Sequence, residues 1–240
     1  MTTLRQKLTV EFIGTFFLVF TVGVAVANAG TLAPLAIGSA LMVMVFAGGH
    51  ISGAHYNPAV STAVFGRGKM SGRDYVSYVA TQLVAGVLAG LVVRGVFSAA
   101  PAAAVAGAGK MLLVEALFTF ALAYVVLNVA TAKGTENNSF YGLAIGFTVA
   151  TGAFAVGKIS GGVFNPAVAF GGSVLGIFAW SHIWIYLLAE IVAGALAAGV
   201  FLLVQPAEKA DGQLRAAEPE ADMGRGAIDA TAAQAGRTAA

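Results

Sequence analysis

Few side chains in this 240-residue sequence are of a type that could do chemistry. Three are histidines, His50, His55 and His182, and three are acids set in apolar surroundings, Glu11, Glu115 and Glu190. His50 and His55 share the stretch HISGAHYNPAV (His50–Val60) with Asn57 and Pro58. Two imidazoles with no cysteine anywhere offer too few ligands for zinc, so no metal and no cofactor is expected. No nucleophile stands beside a base and no glycine loop could cradle phosphate, so the chain does not read as an enzyme. An acid inside a membrane span is by default a candidate proton carrier. Asn57 offers something else, an amide that can cap a helix and present N–H donors to a passing oxygen.

That stretch recurs 108 residues later as KISGGVFNPAV (Lys158–Val168), identical at seven of eleven positions. In each copy asparagine is a favoured N-cap and proline a favoured first helical residue. Ala59 to Phe65 then reads as an apolar helix too short to span a bilayer. The small residues Ser52, Gly53 and Ala54 suit a tight turn at membrane depth, which is tolerated only against protein or a wet cavity. Each half-helix start carries roughly +0.5 of an elementary charge. A meeting point of two such starts binds a neutral polar molecule and repels cations.

The elements that must hold these boxes are written in the composition. With 58% hydrophobic and 10% charged residues and a mean hydropathy of +0.85, the chain belongs in a membrane. About 20 helical residues cross a bilayer core. Turn residues divide the apolar runs into six expected spans, at 8–28, 33–49, 75–97, 110–130, 139–157 and 181–204. The repeat extends beyond the boxes, since TVEFIGTFFLVF (Thr9–Phe20) is echoed by LVEALFTFALAY (Leu113–Tyr124). The fold class is therefore all-α integral membrane: six transmembrane helices plus two re-entrant half-helices, an inverted repeat of two three-helix halves. The channel domain is placed at 8–204, with half one at about 8–100 and half two at about 110–204. An odd number of spans per half inverts the second and puts a pathway between them.

Arg5, Lys7, Arg67, Lys69, Arg73 and Lys133 gather on one side, against Arg94, Lys110 and Lys158 on the other. The richer side is expected to be cytoplasmic, which leaves both termini inside and places the protein in the plasma (inner) membrane. Residues 1–7 form a short cytoplasmic N-terminus. The basic start lacks a cleavage site, so the first span is kept as a helix. Residues 205–240, rich in Ala, Gly, Glu and Asp, are expected to be a disordered cytoplasmic tail. A net charge of +2 spread along the chain argues for no nucleic-acid partner.

Paired Asn-Pro-Ala boxes at Asn57, Pro58, Ala59 and Asn165, Pro166, Ala167, glutamates opening the first and fourth spans, and inverted halves together resemble the aquaporin or major intrinsic protein family. The resemblance covers about residues 5–204. It implies a pore in each monomer, a homotetramer in the lipid bilayer, and a passive channel for water. Counted from the two asparagines, it places a selectivity filter at Ile37, Ala153, Gly162 and Val168. Strict water channels of the family carry an aromatic, a histidine, a small residue and an arginine there. The four residues found here imply a wider, uncharged constriction that also passes urea, ammonia and hydrogen peroxide while excluding ions and protons. The stretch NPAVAFG (Asn165–Gly171) is most similar to that of the plant tonoplast group. A glycerol facilitator is the sibling alternative, disfavoured because Ala169 and Phe170 stand where that pattern has an aspartate.

Glu11 and Glu115, in equivalent places of the two halves, are read as acceptors for loop N–H groups, with His55 and Gln82 as further loop supports. Glu190 finds no partner in the other half. The pairs Gly86 and Gly90, and Gly142 and Gly146, are four apart on one helix face and read as close-packing sites. Inverted repeats with broken helices also suit a proton-coupled secondary transporter, which would need Glu11, Glu115 or Glu190 to face the pathway. A structural membrane-junction protein with a closed pore is the remaining alternative.

Overall fold

The computed structural model describes residues 2–97 and 105–208. Among them run eight helices: α1 (Leu4–Asn28), α2 (Ala33–Ser52), α3 (Pro58–Gly66), α4 (Gly72–Val96), α5 (Ala108–Ala130), α6 (Tyr141–Ser160), α7 (Pro166–Leu175) and α8 (Ile183–Val204). No strand occurs among the described residues, and six of the helices are long and apolar enough to cross a membrane. The protein is an integral, multi-pass, all-helical membrane protein.

Packing follows the repeat. Within the halves α1 packs on α2 and α4, as α5 packs on α6 and α8. Across the halves α2 meets α6, and each half-helix lies on the last helix of the other half, α7 on α4 and α3 on α8. Glycines make these crossings close. A Cβ at Gly86 would overlap the Ala167 carbonyl oxygen, one at Gly90 that of Gly171, and one at Gly194 that of Ala59. Between α2 and α6, a Cβ on Gly38 would stand 2.6 Å from the Gly146 oxygen. At Gly142 the neighbour is a side chain, the Phe46 ring at 2.9 Å.

Helix ends differ from the sequence reading where polar caps extend an apolar run. The first helix starts at Leu4 instead of residue 8, because Thr3 and Gln6 close a capping box, with Thr3 N donating to Gln6 Oε1 at 2.7 Å. The expected seven-residue N-terminal segment is thereby largely helix. Helices α2 and α6 run on to Ser52 and Ser160, each ended by a left-handed glycine, Gly53 at φ 85° and Gly161 at φ 100°. The expected join of the halves at 100–110 falls partly on residues 98–104, outside the described residues.

The expected tail boundary at Gln205 is also corrected. Gln205 Nε2 donates to Asn128 Oδ1 at 2.7 Å, and Glu208 reaches a buried charge. That charge is Arg67, which follows α3 and whose side chain is fully buried. Its Nη2 lies 2.8 Å from Glu208 Oε2, its Nε donates to Thr131 Oγ1 at 2.6 Å, and its guanidinium sits 4.7 Å from the Phe201 ring centroid. The Lys133 amide donates to Glu208 Oε1 at 2.6 Å. A cation at the C-terminal end of α3 complements the helix dipole. Residues 209–240, the rest of the expected tail, lie outside the described residues.

The Arg67–Glu208 pair yields a stability prediction. Burial acts to raise the Glu208 carboxyl, but the Lys133 N–H, the Arg67 hydrogen bond and charge, and the Lys69 charge outweigh it and hold the group below its ordinary value. A carboxyl lowered on folding stabilises above its unfolded pKa, and that contribution is lost as pH falls through the folded value. Glu208→Ala is expected to strand the buried guanidinium and cost about 3 kcal/mol. Thermal unfolding of the detergent-solubilised protein checks it: the gap between parent and variant is full at neutral pH and closes in acid.

Candidate functional site

The two re-entrant loops are built by short runs of left-handed backbone. Ala54, Tyr56 and Phe164 all have φ of 50°, a region costly for residues with a side chain. What holds them there is the carboxylate behind each loop. Glu11 Oε1 accepts from the His55 amide at 2.9 Å and from Ser52 Oγ at 2.7 Å. Its Oε2 accepts from the Tyr56 amide at 2.7 Å and from Gln82 Nε2 at 2.9 Å. In the second half Glu115 accepts from the Val163 and Phe164 amides at 3.1 and 2.8 Å. Tyrosine hydroxyls brace the helix ends alike, Tyr78 donating to the Ser52 carbonyl at 2.8 Å and Tyr186 to that of Ser160 at 2.7 Å.

Gln82 supports the first loop indirectly. Its amide bridges Glu11 to Ser61 Oγ on α3, at 3.0 Å, and touches no loop amide directly. His55 Nδ1 lies 3.0 Å from the same Ser61 Oγ. No group of three or more metal-ligating side chains occurs among the described residues.

Each loop ends in an asparagine that does two jobs. Asn57 Oδ1 accepts from the Ala59 amide at 2.8 Å and Asn165 Oδ1 from that of Ala167 at 2.9 Å, capping α3 and α7. Their Nδ2 groups then cross between halves: Asn57 donates to the Phe164 carbonyl at 2.8 Å, and Asn165 to the Tyr56 carbonyl at 2.9 Å. An amide nitrogen carries two N–H donors, so each keeps one for the lumen. The prolines, Pro58 and Pro166, open the half-helices, and Ala59 and Ala167 pack against α8 and α4.

Two cavities lead to this point from opposite faces. One, of about 590 Å³, opens on the face where α7 ends and reaches Asn57 and Asn165. The other, of about 550 Å³, opens near Lys69 and Lys133. His55 and Val126 line both, so the two cavities meet beside the asparagines. All four filter candidates, Ile37, Ala153, Gly162 and Val168, line the first cavity. Gly162, at φ 64°, sits 3.1 Å from Ala153 Cα when given a Cβ, so that wall is main chain. Lys158 is the cation lining this cavity, and His50 lines the second. None of Glu11, Glu115 and Glu190 lines either one.

Glu190 has an equivalent that the sequence reading missed. The pairs Ser52/Ser160, Tyr56/Phe164, Asn57/Asn165, Tyr78/Tyr186 and Gly86/Gly194 are all 108 residues apart, and the same interval takes Gln82 to Glu190. Glu190 is fully buried, and neither carboxyl oxygen has a hydrogen-bond partner. The signal that could have found it was the repeat interval itself. Arg67 was read as a loop charge, since its buried partner Glu208 lies 141 residues away.

Comparisons with known proteins agree with this geometry. The model of the family described as major intrinsic protein matches residues 1–201. Glycerol uptake facilitator protein-like 6 of Lactiplantibacillus plantarum is 38% identical over 206 residues, 80% of this chain and 95% of that protein. Putative aquaporin NIP4-1 of Arabidopsis thaliana is 34% identical over 223 residues, 86% of this chain and 77% of that protein. The aquaglyceroporin structure from Plasmodium falciparum shares the fold, with a TM-score of 0.72 at 19% identity, covering 83% of this chain and 96% of that one. The tonoplast likeness is corrected by these relatives. It rested on seven residues of one half-helix, whereas the facilitator-like and NIP-named proteins match across most of the chain.

Proposed function

The chain belongs to the major intrinsic protein family, and from that premise we propose that it is a passive channel for water that also carries urea, ammonia and hydrogen peroxide and holds back ions and protons. The observation that supports this most is the pair Asn57 and Asn165, cross-bonded between halves where two cavities from opposite faces meet. A water oxygen has two lone pairs. If both are engaged by the free asparagine N–H donors, that water cannot accept from its neighbour, and the hydrogen-bonded chain a proton would follow is interrupted. The starts of α3 and α7 add positive potential there, which disfavours cations. Apolar walls, including Leu41, Ile145 and Val149, return nothing for the hydration an ion would lose.

Ile37, Ala153, Gly162 and Val168 act as the filter in this reading, with Glu11, Glu115, His55 and Gln82 fixing the loops behind it. The working form is a homotetramer in the plasma membrane with both termini cytoplasmic; the lysine and arginine bias supports that orientation. Glycerol is the second reading, favoured by the printed name of the Lactiplantibacillus relative and by a constriction without arginine or histidine. Coupled transport is disfavoured because no buried acid lines the cavities.

The test is light-scattering stopped-flow on proteoliposomes with water, glycerol, urea, ammonia and hydrogen peroxide. Water flux is expected to exceed that of empty vesicles, to scale with the osmotic gradient and to ignore an imposed proton gradient. Accumulation of a solute against its gradient, or no acceleration above lipid alone, would overturn the channel.

A further inference from the structure

Glu190 is the buried ionisable group that the channel reading leaves without a task. In the first half Gln82 joins three partners: its amide donates to Glu11 and Ser61, and Glu11 in turn holds the His55 and Tyr56 amides. The second half keeps Glu115 in place of Glu11 but has Ala169, 108 residues beyond Ser61, and Glu190 in place of Gln82. One side chain that donated has become a methyl and the other a carboxyl. Glu190 feels the Glu115 charge directly and lies beside the Asn165 backbone. Two carboxylates cannot both stay ionised side by side in a dry interior, where each lost proton leaves a charge that nothing neutralises. A protonated carboxyl, unlike a carboxylate, owns an O–H donor, and its shape is that of the glutamine amide.

We propose that Glu190 and Glu115 share one proton, with Glu190 as the acid and donor, so that Glu190 does for the second loop what Gln82 does for the first and positions Asn165 at the pore centre. The surroundings contain no competing ion. Half-helices α3 and α7 carry no ionisable side chain, and on α8 the neighbouring titratable group is Tyr186, whose hydroxyl is committed to the Ser160 carbonyl. Glu115 is the facing group on α5. Loss of the shared proton puts two negative charges behind Asn165 and draws the second loop out of register, so water flux through the parent is expected to fall in alkali. Glu190→Gln keeps the donor and removes the proton, and is expected to conduct at every pH.

The proposal rests on the channel reading for its flux readout but not for its spectroscopic one. Infrared spectra of the full-length protein in proteoliposomes should show a protonated-carboxyl carbonyl band that Glu190→Gln abolishes. Water permeability of the parent should drop several-fold between about pH 6 and about pH 10, the range in which buried glutamates are known to ionise. Glu190→Gln should stay within about twofold of the neutral parent throughout, and Glu190→Ala, which lacks a donor, should be low throughout. No change in the carboxyl band, identical pH profiles for parent and Glu190→Gln, or failure of Glu190→Gln to fold while Glu190→Asp folds would overturn it. A band that disappears as expected in a protein that passes no water would leave the proton-sharing pair standing and sink the channel instead.

Discussion

Gly86→Val is expected to abolish permeation, although residue 86 lines neither cavity. A side chain there collides with the Ala167 carbonyl oxygen and comes within 3.1 Å of its carbon, and main-chain atoms cannot rotate aside as a side chain would. Either α4 bends or the first turn of α7 moves. The second is the softer path, because α7 is one short helix anchored through Asn165. Its displacement breaks the Asn165 bond to the Tyr56 carbonyl, 2.9 Å long, and weakens the reciprocal bond from Asn57 to Phe164. Overpacking alone costs about 1–3 kcal/mol. Each buried polar group left unpaired adds a further 1–3 kcal/mol or so. In proteoliposomes of matched protein content, water permeability should fall at least about tenfold, the equivalent of roughly 1.4 kcal/mol on the barrier. Gly194→Val, aimed at the Ala59 carbonyl, should behave alike. Gly95→Ala, on the same helix as Gly86 with nothing near its Cβ, should match the parent. A fully permeable Gly86→Val would show that α7 does not depend on this crossing.

What the sequence disclosed and what it hid divide along one physical line. The boxes, their caps and the inverted halves were legible because each is local or repeats at a fixed interval. Gly86 and Gly146 could be read as close-packing sites, but not which backbone each touches, since those partners come from the other half. The capping box at Thr3 and Gln6 is also local, yet hydropathy alone started the helix four residues late. Arg67 and Glu208 were opaque for the opposite reason. A charge beside a loop and an acid in an Ala-rich segment look solvated until tertiary packing buries both. Glu190 was illegible only through a neglected comparison, since its 108-residue relation to Gln82 needs no coordinates. Solute preference is the least legible layer, because four apolar or small residues define a width by what they lack.

Val168→Arg is expected to change which solutes pass more than whether water passes. Val168 is the third residue of α7, buried, and faces the same cavity as Ile37, Ala153 and Gly162. No side chain projects from Gly162, so an arginine at 168 would enter space bounded on that side by main chain. Its five N–H donors bind water well in passing, since water can accept and donate in any orientation. Urea must lose more of its hydration and needs a wider opening, so narrowing weighs on it more. Steric discrimination of this kind is worth about 1–3 kcal/mol, roughly 10- to 200-fold. Urea and glycerol fluxes should therefore fall at least about tenfold while water falls no more than about threefold. The added positive charge near the α7 start also raises the barrier to cations, in the same sense as the helix dipole. Parallel stopped-flow on one batch of vesicles separates the cases. An equal loss for every solute means that Val168 blocks or misfolds the pore instead of filtering it, and no loss for any means that the constriction lies elsewhere along the cavity. Ala153→His, placed across the same lumen, should then act on urea in the same direction, because two independent narrowings of one constriction must agree in sign.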